Sequence, residues 1–313
     1  MSLNNIKSDL VQVFDMEPEW IAHLKYNPLL DIIEKGKPYH IISLMRYVFG
    51  AKNSNPIISN LKFFYYKEPQ VKSIFEEIKF KANNLNKAKD KQSDDDFIDI
   101  LTLLAKIDYF EVYNKKYIDL LVKEIIHTNM IFNMSNLRYR SVLIFLINKL
   151  GYGNVFFERG LKDIQKYQNP DGGWPLSLDD SNNKSDIFST LMVYRSFISN
   201  NLWRNKDFLI NAEEYLIQNH LSKNQTNEEL DKWNRLHAGY KKNNLFEGGS
   251  AILLDCLLLS KNKKNDKIKS IISWIKGIQL KTGYFPYHAS LKNQENTSCT
   301  IKILSIIKKY YTI

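Results

Sequence analysis

Few residues in this sequence stand where they could do chemistry, and the carboxylates come first. Asp255 interrupts the apolar run from Ala251 to Leu259. A lone buried charge is costly, so Asp255 must meet a partner or face a cavity. Asp94, Asp95 and Asp96 follow Ser93; Ser93 suits a helix N-cap, and three carboxylates favour the helix dipole behind it. Asp179 or Asp180 with Glu247 would supply the two carboxyl groups that glycoside hydrolysis needs. Asp255, Cys256, His288 and Cys299 offer metal-ligating atoms, although a buried cysteine is usually a small inert hydrophobe. None of the six histidines pairs with another at HxxxH spacing, so no metal site is expected. The 18 Tyr, 17 Phe and 5 Trp could line a pocket that stabilises cations through their π faces, or simply fill a core.

The elements that must position these residues are helices. Long Leu/Ile runs separated by short polar connectors dominate a chain of 313 residues, 44% of them hydrophobic. The formal charge of +10 raises the question of nucleic acid. The lysines are scattered, however, and the densest run, Lys261 to Lys264, reads as a solvated loop. No zinc-finger spacing or RNP signature accompanies it, so no nucleic-acid partner is expected, while peripheral contact with an anionic membrane fits a Lys-rich surface. The two cysteines, Cys256 and Cys299, belong to no CxxC and suit a reducing compartment. Residues 1–14 lack the apolar core of a signal peptide, and no run approaches the length of a transmembrane helix. A cytoplasmic location is the expectation.

An internal repeat organises the C-terminal two-thirds. Gln168-Asn169-Pro170-Asp171-Gly172-Gly173-Trp174-Pro175 contains a good type I turn, with Pro second and Gly fourth. A helix is predicted before it (156–167) and another after it (185–200, capped by Ser185). The spacing from Gln to Gly to aromatic to Pro returns in Gln279, Gly283, Phe285 and Pro286, again between two predicted helices, 266–279 and 297–310. Degenerate copies are read at 218–224 and 127–133. The helix after each connector opens with a small hydroxyl residue, Ser141, Ser189, Ser250 or Ser298, and is apolar nearly all round. The alternating helices (115–127, 156–167, 206–218, 266–279) are amphipathic. One buried and one half-exposed helix per repeat describes two concentric rings, an all-α, α/α toroid over residues 94–313. Ser141, Ser189, Tyr194 and Ser250 are the candidates for facing its cavity. Residues 1–93 form a less regular helical region, with helices near 27–34, 39–49 and 71–81 and a polar linker at 83–93. They supply either the first hairpins or a cap.

Gln168 to Trp174 matches the QxxDGGW motif of squalene cyclases, oxidosqualene cyclases and prenyltransferase β-subunits, and Phe188 to Val193 resembles their inner-helix pattern. The resemblance covers roughly residues 94–313 and implies that Gln168, Asp171, Gly172, Gly173 and Trp174, like Gln279, Gly283 and Phe285, brace neighbouring hairpins. It also implies where catalysis would sit. Class II terpene cyclases protonate an alkene with the middle Asp of a DxDD motif, an acid kept neutral by burial. Ser93 to Asp96 is the nearest match, with Asp95 as proton donor and Asp96 beside it; Ser93 stands in place of the first Asp. The zinc ligands of protein prenyltransferases fall on Glu247, Gly249 and about Asn296, so that chemistry does not carry over.

The resemblance therefore implies an isoprenoid-handling, cyclase-like protein. It would use an apolar aromatic cavity with Asp95, Asp96 or Asp255 as the acid. No cofactor is implied, with Mg²⁺ entering only alongside a diphosphate substrate. A non-catalytic toroid that binds an apolar small molecule or a protein partner, and a carbohydrate-active toroid, are the other readings.

Overall fold

A computed structural model describes residues 2–13, 18–87, 94–179, 183–223, 225–237, 249–260 and 265–312. Ser93, Asp180, Glu247 and Lys261 to Lys264 lie outside the described residues, as does the side chain of Asp94. The chain is all-α: α1 (Leu3–Val13), a 3-10 turn (Glu19–His23), α2 (Leu29–Lys35), α3 (Pro38–Ser43) continued by a π-helical turn (Leu44–Val48), α4 (Pro56–Tyr65), α5 (Pro69–Lys87), α6 (Asp94–Tyr109), α7 (Lys115–His127), α8 (Met130–Asn133), α9 (Leu137–Lys149), α10 (Val155–Gln165), α11 (Ile187–Ile198), α12 (Phe208–Asn219), α13 (Asn227–Trp233), α14 (Ser250–Leu257), α15 (Asp266–Ile278) and α16 (Thr297–Thr312). One ladder interrupts them, β1 (Trp174–Pro175) antiparallel to β2 (Ser185–Asp186). No helix among the described residues is long and apolar enough to cross a membrane.

Burial separates the helices into two kinds, as the apolar patterns require. Every residue of α11 is buried except Arg195, and every residue of α14 except Asp255. From Cys299 to Ile307 in α16, only Lys302 escapes full burial. By contrast, α7, α10 and α15 bury one stripe each, for example Ile268, Ile271, Ile272 and Ile275. The buried helices pack in chain order, α6 on α9, α9 on α11, α11 on α14 and α14 on α16, and α16 packs on α3 and the π-helical turn. The striped helices α10, α12 and α15 lie against α9, α11 and α14.

The connectors fix these packings through one repeated set of hydrogen bonds. Gln168 Nε2 donates to the carbonyl of Gly172 (2.8 Å) and to that of Phe208 at the start of α12 (3.1 Å). Gln279 Nε2 donates in the same way to Gly283 (2.9 Å) and to Tyr26 (2.7 Å), just before α2. Both turns need a left-handed glycine, φ +89° at Gly172 and +87° at Gly283. At Gly172 an added Cβ would also meet the Asn211 carbonyl oxygen at 2.3 Å. Next, the aromatic's backbone N–H donates to a hydroxyl in the following helix: Trp174 to Thr190 Oγ1 (2.9 Å), Phe285 to Thr300 Oγ1 (2.8 Å). Each threonine donates onward to the carbonyl four residues before it, at Asp186 or Asn296 (both 2.8 Å). The Trp174 indole, fully buried, donates to Ile164 O at 2.9 Å. Asp171 accepts from Gly173 N and Ser185 Oγ, which stiffens the first copy alone.

Several expectations need correction. Helix α5 runs on through Lys87 instead of ending in a linker at 83. Its buried stripe of Val71, Ile74, Ile78, Ala82 and Leu85 continues at helical spacing beneath a polar composition. Asp186, not Ser185, caps α11, accepting from Ser189 N at 2.6 Å. Helix α9 begins at Leu137, capped by Asn136, so Ser141 lies in its second turn. Helices α1, α4 and α13 were not foreseen. The degenerate connector near 218 uses other chemistry: His220 Nε2 meets Ser250 Oγ (2.8 Å), which donates to Trp233 O (2.9 Å).

Replacing Trp174 by Ala should remove a buried indole and its hydrogen bond, lowering stability by roughly 3–5 kcal/mol. Chemical denaturation of the two proteins measures this; an unchanged midpoint would mean that the indole braces nothing.

Candidate functional site

The charged residues that interrupt the buried helices converge on one cavity of 260 Å³. Its walls come from the C-terminal half of α6, from α9, α11, α14 and α16, and from the π-helical turn. A helix buried on all sides can carry a charge only where water or a partner reaches it. Arg195, Asp255 and Lys302 all face this space, joined by Asp108, Glu111, Lys149 and Lys309. Phe145, Tyr109, Tyr47, Leu146, Ile252 and Ile306 supply aromatic and aliphatic wall between them. Four cations thus meet three carboxylates on a partly apolar lining.

Pairing within this set is uneven. Lys149 Nζ contacts Asp108 at 2.6 Å and Lys309 Nζ contacts Asp255 at the same distance. Arg46, from the π-helical turn, pairs with Glu111, which is 1% exposed and keeps Oε1 without a hydrogen-bond partner. Arg195 and Lys302 hold no hydrogen bond or ion pair to a carboxylate among the described residues. The Arg195 guanidinium lies over the Phe145 ring at 4.0 Å, and the Lys302 ammonium over the Tyr47 ring at 3.7 Å. Both arrangements hold a cation through a π face and leave its N–H groups unspent.

The titration behaviour follows from burial set against these charges. Burial pushes Asp108 upward, but Lys149, Lys302 and a hydrogen bond from Tyr113 outweigh it and hold the carboxyl well below the usual carboxylate range. Asp255 is likewise depressed, because Lys309, Arg195 and Lys302 overcome its burial. Lys302 moves the other way: burial and the neighbouring Lys149 lower it to about 7, with Asp108 and Glu111 opposing. Burial raises Cys256 to about 12, and raises Cys299 too, so neither is a thiolate near neutrality.

The sequence-derived candidates are scattered by comparison. Asp95 is exposed and Asp96 half-buried in the first turn of α6. Asp108, on the cavity wall, is 13 residues further along that helix, roughly 20 Å at 1.5 Å per residue. Ser141 donates to Arg138 O, Ser250 joins His220 and Trp233, and Ser189 is buried, so none of the three lines the cavity. Tyr194 lines a separate pocket and donates to the buried Glu213 at 2.8 Å. Of the metal-ligand set, Asp255 alone reaches the cavity; His288 contacts Ser290 and Asp231, and Cys299 donates to Pro286 O. Among the described residues no group of three His, Cys, Asp or Glu is placed to hold a metal. Lys149, Arg195 and Lys302 were not singled out from the sequence, although the signal that marked Asp255, a charge inside an all-apolar helix, marks Arg195 and Lys302 equally.

Comparison with known proteins gives no match, whether to family models, to curated proteins or to solved structures.

The lowered amine has a measurable consequence for stability. Unfolded, Lys302 titrates near 10.4, so between about 7 and 10.4 the unfolded chain binds the extra proton. Stability must therefore rise with pH across that window. Urea denaturation at pH 7 and pH 9 should show a gain of about 2 kcal/mol in the wild type, at 1.36 kcal/mol per unit. Lys302→Met should be the more stable protein at pH 7 and should lose most of the slope. An identical slope in both would place the titration elsewhere.

Proposed function

We propose that this chain is an α/α toroid of squalene-cyclase-type helix hairpins whose central cavity binds a small organic anion. Three features support the ring. The buried helices pack in chain order from α6 to α16, α16 lies on α3 and the π-helical turn, and that turn reaches the segment just after α6 through the Arg46–Glu111 pair. The Gln279 connector reaches Tyr26 in the way that the Gln168 connector reaches Phe208, so residues 1–93 would supply the first hairpins and not a cap. The same buried helices wall one cavity. Support for the family resemblance is the shared bonding of the two connectors, in which glutamine, glycine and aromatic positions do equivalent work.

Arg195 carries the assignment of ligand class. Its guanidinium faces the cavity and holds no carboxylate among the described residues, and its fork fits a carboxylate or phosphate. Lys302 adds a second cation without a carboxylate partner among the described residues. The aromatic and aliphatic wall suits an apolar remainder, and 260 Å³ is at the small end of ligand pockets.

Proton-initiated cyclisation fits this cavity poorly. Such an acid must stay protonated, whereas Asp108 and Asp255 are held ionised and Asp95 is exposed in the first turn of α6. A carbocation 4 Å from one lysine would meet about 4 kcal/mol of repulsion at an effective dielectric constant of 20. An isoprenoid enters this reading instead as its diphosphate, an anion with an apolar tail, and Mg²⁺ would accompany only such a ligand.

Calorimetric titration with medium-chain carboxylates, isoprenyl diphosphates and uncharged isoprenoid alcohols tests the proposal. The anions should bind and the alcohols should not. Arg195→Gln should weaken anion binding by about 10- to 100-fold, the worth of a charge-assisted hydrogen bond. If an uncharged isoprenoid is instead cyclised, and Asp95→Asn abolishes its product, the anion reading falls and the cyclase reading replaces it.

A further inference from the structure

We infer that Lys302 is a Schiff-base lysine, and that the anion taken by the cavity carries an aldehyde or ketone that its amine captures. This deepens the anion-binding reading and rests on it for the ligand's charge. The geometry comes first. An amine that attacks a carbonyl must face the ligand, must not be tied up in an ion pair, and must sit where another cation discourages its protonation. Lys302 meets each condition. It is the single break in the buried face of α16, its side chain lines the cavity, and no carboxylate among the described residues lies within ion-pair distance.

Its surroundings on every packed element are consistent. The π-helical turn contributes the Tyr47 ring, over which both the Lys302 amine (3.7 Å) and the Lys149 amine (5.2 Å) lie. Helix α9 contributes Lys149 itself, and α11 contributes Arg195. Asp108 faces it from α6, Glu111 from the turn just after that helix and Asp255 from α14, but each is engaged by another cation, respectively Lys149, Arg46 and Lys309. Lys309 follows on the same helix. Thus each carboxylate is paired with another cation, and Lys302 feels the repulsion of Lys149 against the weaker pull of Asp108 and Glu111. A value near 7 leaves about half the amine unprotonated at neutral pH, which nucleophilic attack requires.

The step balances without a cofactor. The Nζ lone pair forms a C–N bond to the carbonyl carbon while the C=O π pair moves to oxygen, and one proton passes from the new ammonium nitrogen to that oxygen. The resulting carbinolamine takes up a proton on its hydroxyl, with the Lys149 ammonium as the adjacent donor, and loses water. The product is a protonated imine, so the positive charge that Lys302 lacked as an amine is restored beside Asp108. Hydrolysis reverses the sequence.

Reductive trapping in the intact chain tests this. Glyoxylate serves as the anionic carbonyl and propanal as the neutral one, each at low excess with cyanoborohydride, followed by peptide mapping. Lys302 should be modified at least ten times faster than any other lysine by glyoxylate, with a rate that rises through pH 7. Lys302→Arg should abolish the fast adduct, with its melting temperature as the folding control. Because the wild-type map identifies the site, a poorly folded variant would not blur the result. Adducts spread over exposed lysines with Lys302 unmodified would overturn the inference. Arg195→Gln separates the two readings: it should slow trapping of glyoxylate and leave propanal unaffected. Equal trapping of both carbonyls at Lys302, insensitive to Arg195, would retain the imine and remove the anion site. Arg195-dependent binding with no Lys302 adduct would retain the anion site and remove the imine.

Discussion

The hydroxyl clamp at the start of the buried helices is the contact on which everything else depends. Thr190 and Thr300 each accept the backbone N–H of the connector's aromatic and donate to a carbonyl one turn back. The connector aromatic's N–H, which would otherwise be orphaned in an apolar interior, is thereby satisfied. The clamp also fixes rotation. With Thr190 turned toward Trp174, the residue five positions on, Arg195, must face the cavity. With Thr300 held by Phe285, Lys302 and Ser305 line the same space. A helix apolar on all sides has no amphipathic stripe to choose its rotation, so this polar contact must choose it.

Once rotation is set, the cavity's electrostatics follow from counting and from burial. Seven charged side chains share a small enclosed volume, and each of the carboxylates has taken a cation. For Asp108 and Asp255 pairing wins over desolvation, and both remain ionised. For Lys302 desolvation wins, because the repulsion of Lys149 adds to it and outweighs the pull of Asp108 and Glu111. The π face of Tyr47 offsets part of that cost, since it attracts a cation without accepting its protons. The cavity therefore combines ion pairs with a guanidinium and an amine that hold no carboxylate among the described residues. That second class is what a ligand can use.

Much of this was readable from the residues, and the failures share one physical cause. Helix α7 was placed to the residue, and α10, α12, α15 and α16 to within about two at each end, because amphipathic spacing is a local signal. The Asn169–Gly172 turn was equally local: Gly172 N donates to Asn169 O as a type I turn requires. What the sequence could not show was which side of an all-apolar helix faces a cavity. Ser141, Ser189 and Ser250 mark the starts of buried helices in the repeat, yet Ser250 spends its hydroxyl on Trp233 and Ser141 on Arg138. Asp255 stands out as a lone acid in an apolar run. Arg195 interrupts its helix just as plainly, and only the assembled neighbours show that no carboxylate among the described residues pairs with it.

The division between brace and cavity explains how one architecture can change its chemistry. The bracing atoms are glutamine amides, glycine carbonyls and threonine hydroxyls, all at connector ends and none on the cavity wall. The wall's charges stand at other positions of the same buried helices, among them Arg195, Asp255, Lys302 and Lys309. In this molecule Asp95 lies in the first turn of α6, while the charge that reaches the cavity from that helix is Asp108, already committed to Lys149. The connectors are braces; the chemistry of the wall is set by the charged side chains that hold no carboxylate among the described residues, Lys302 on α16 and Arg195 on α11.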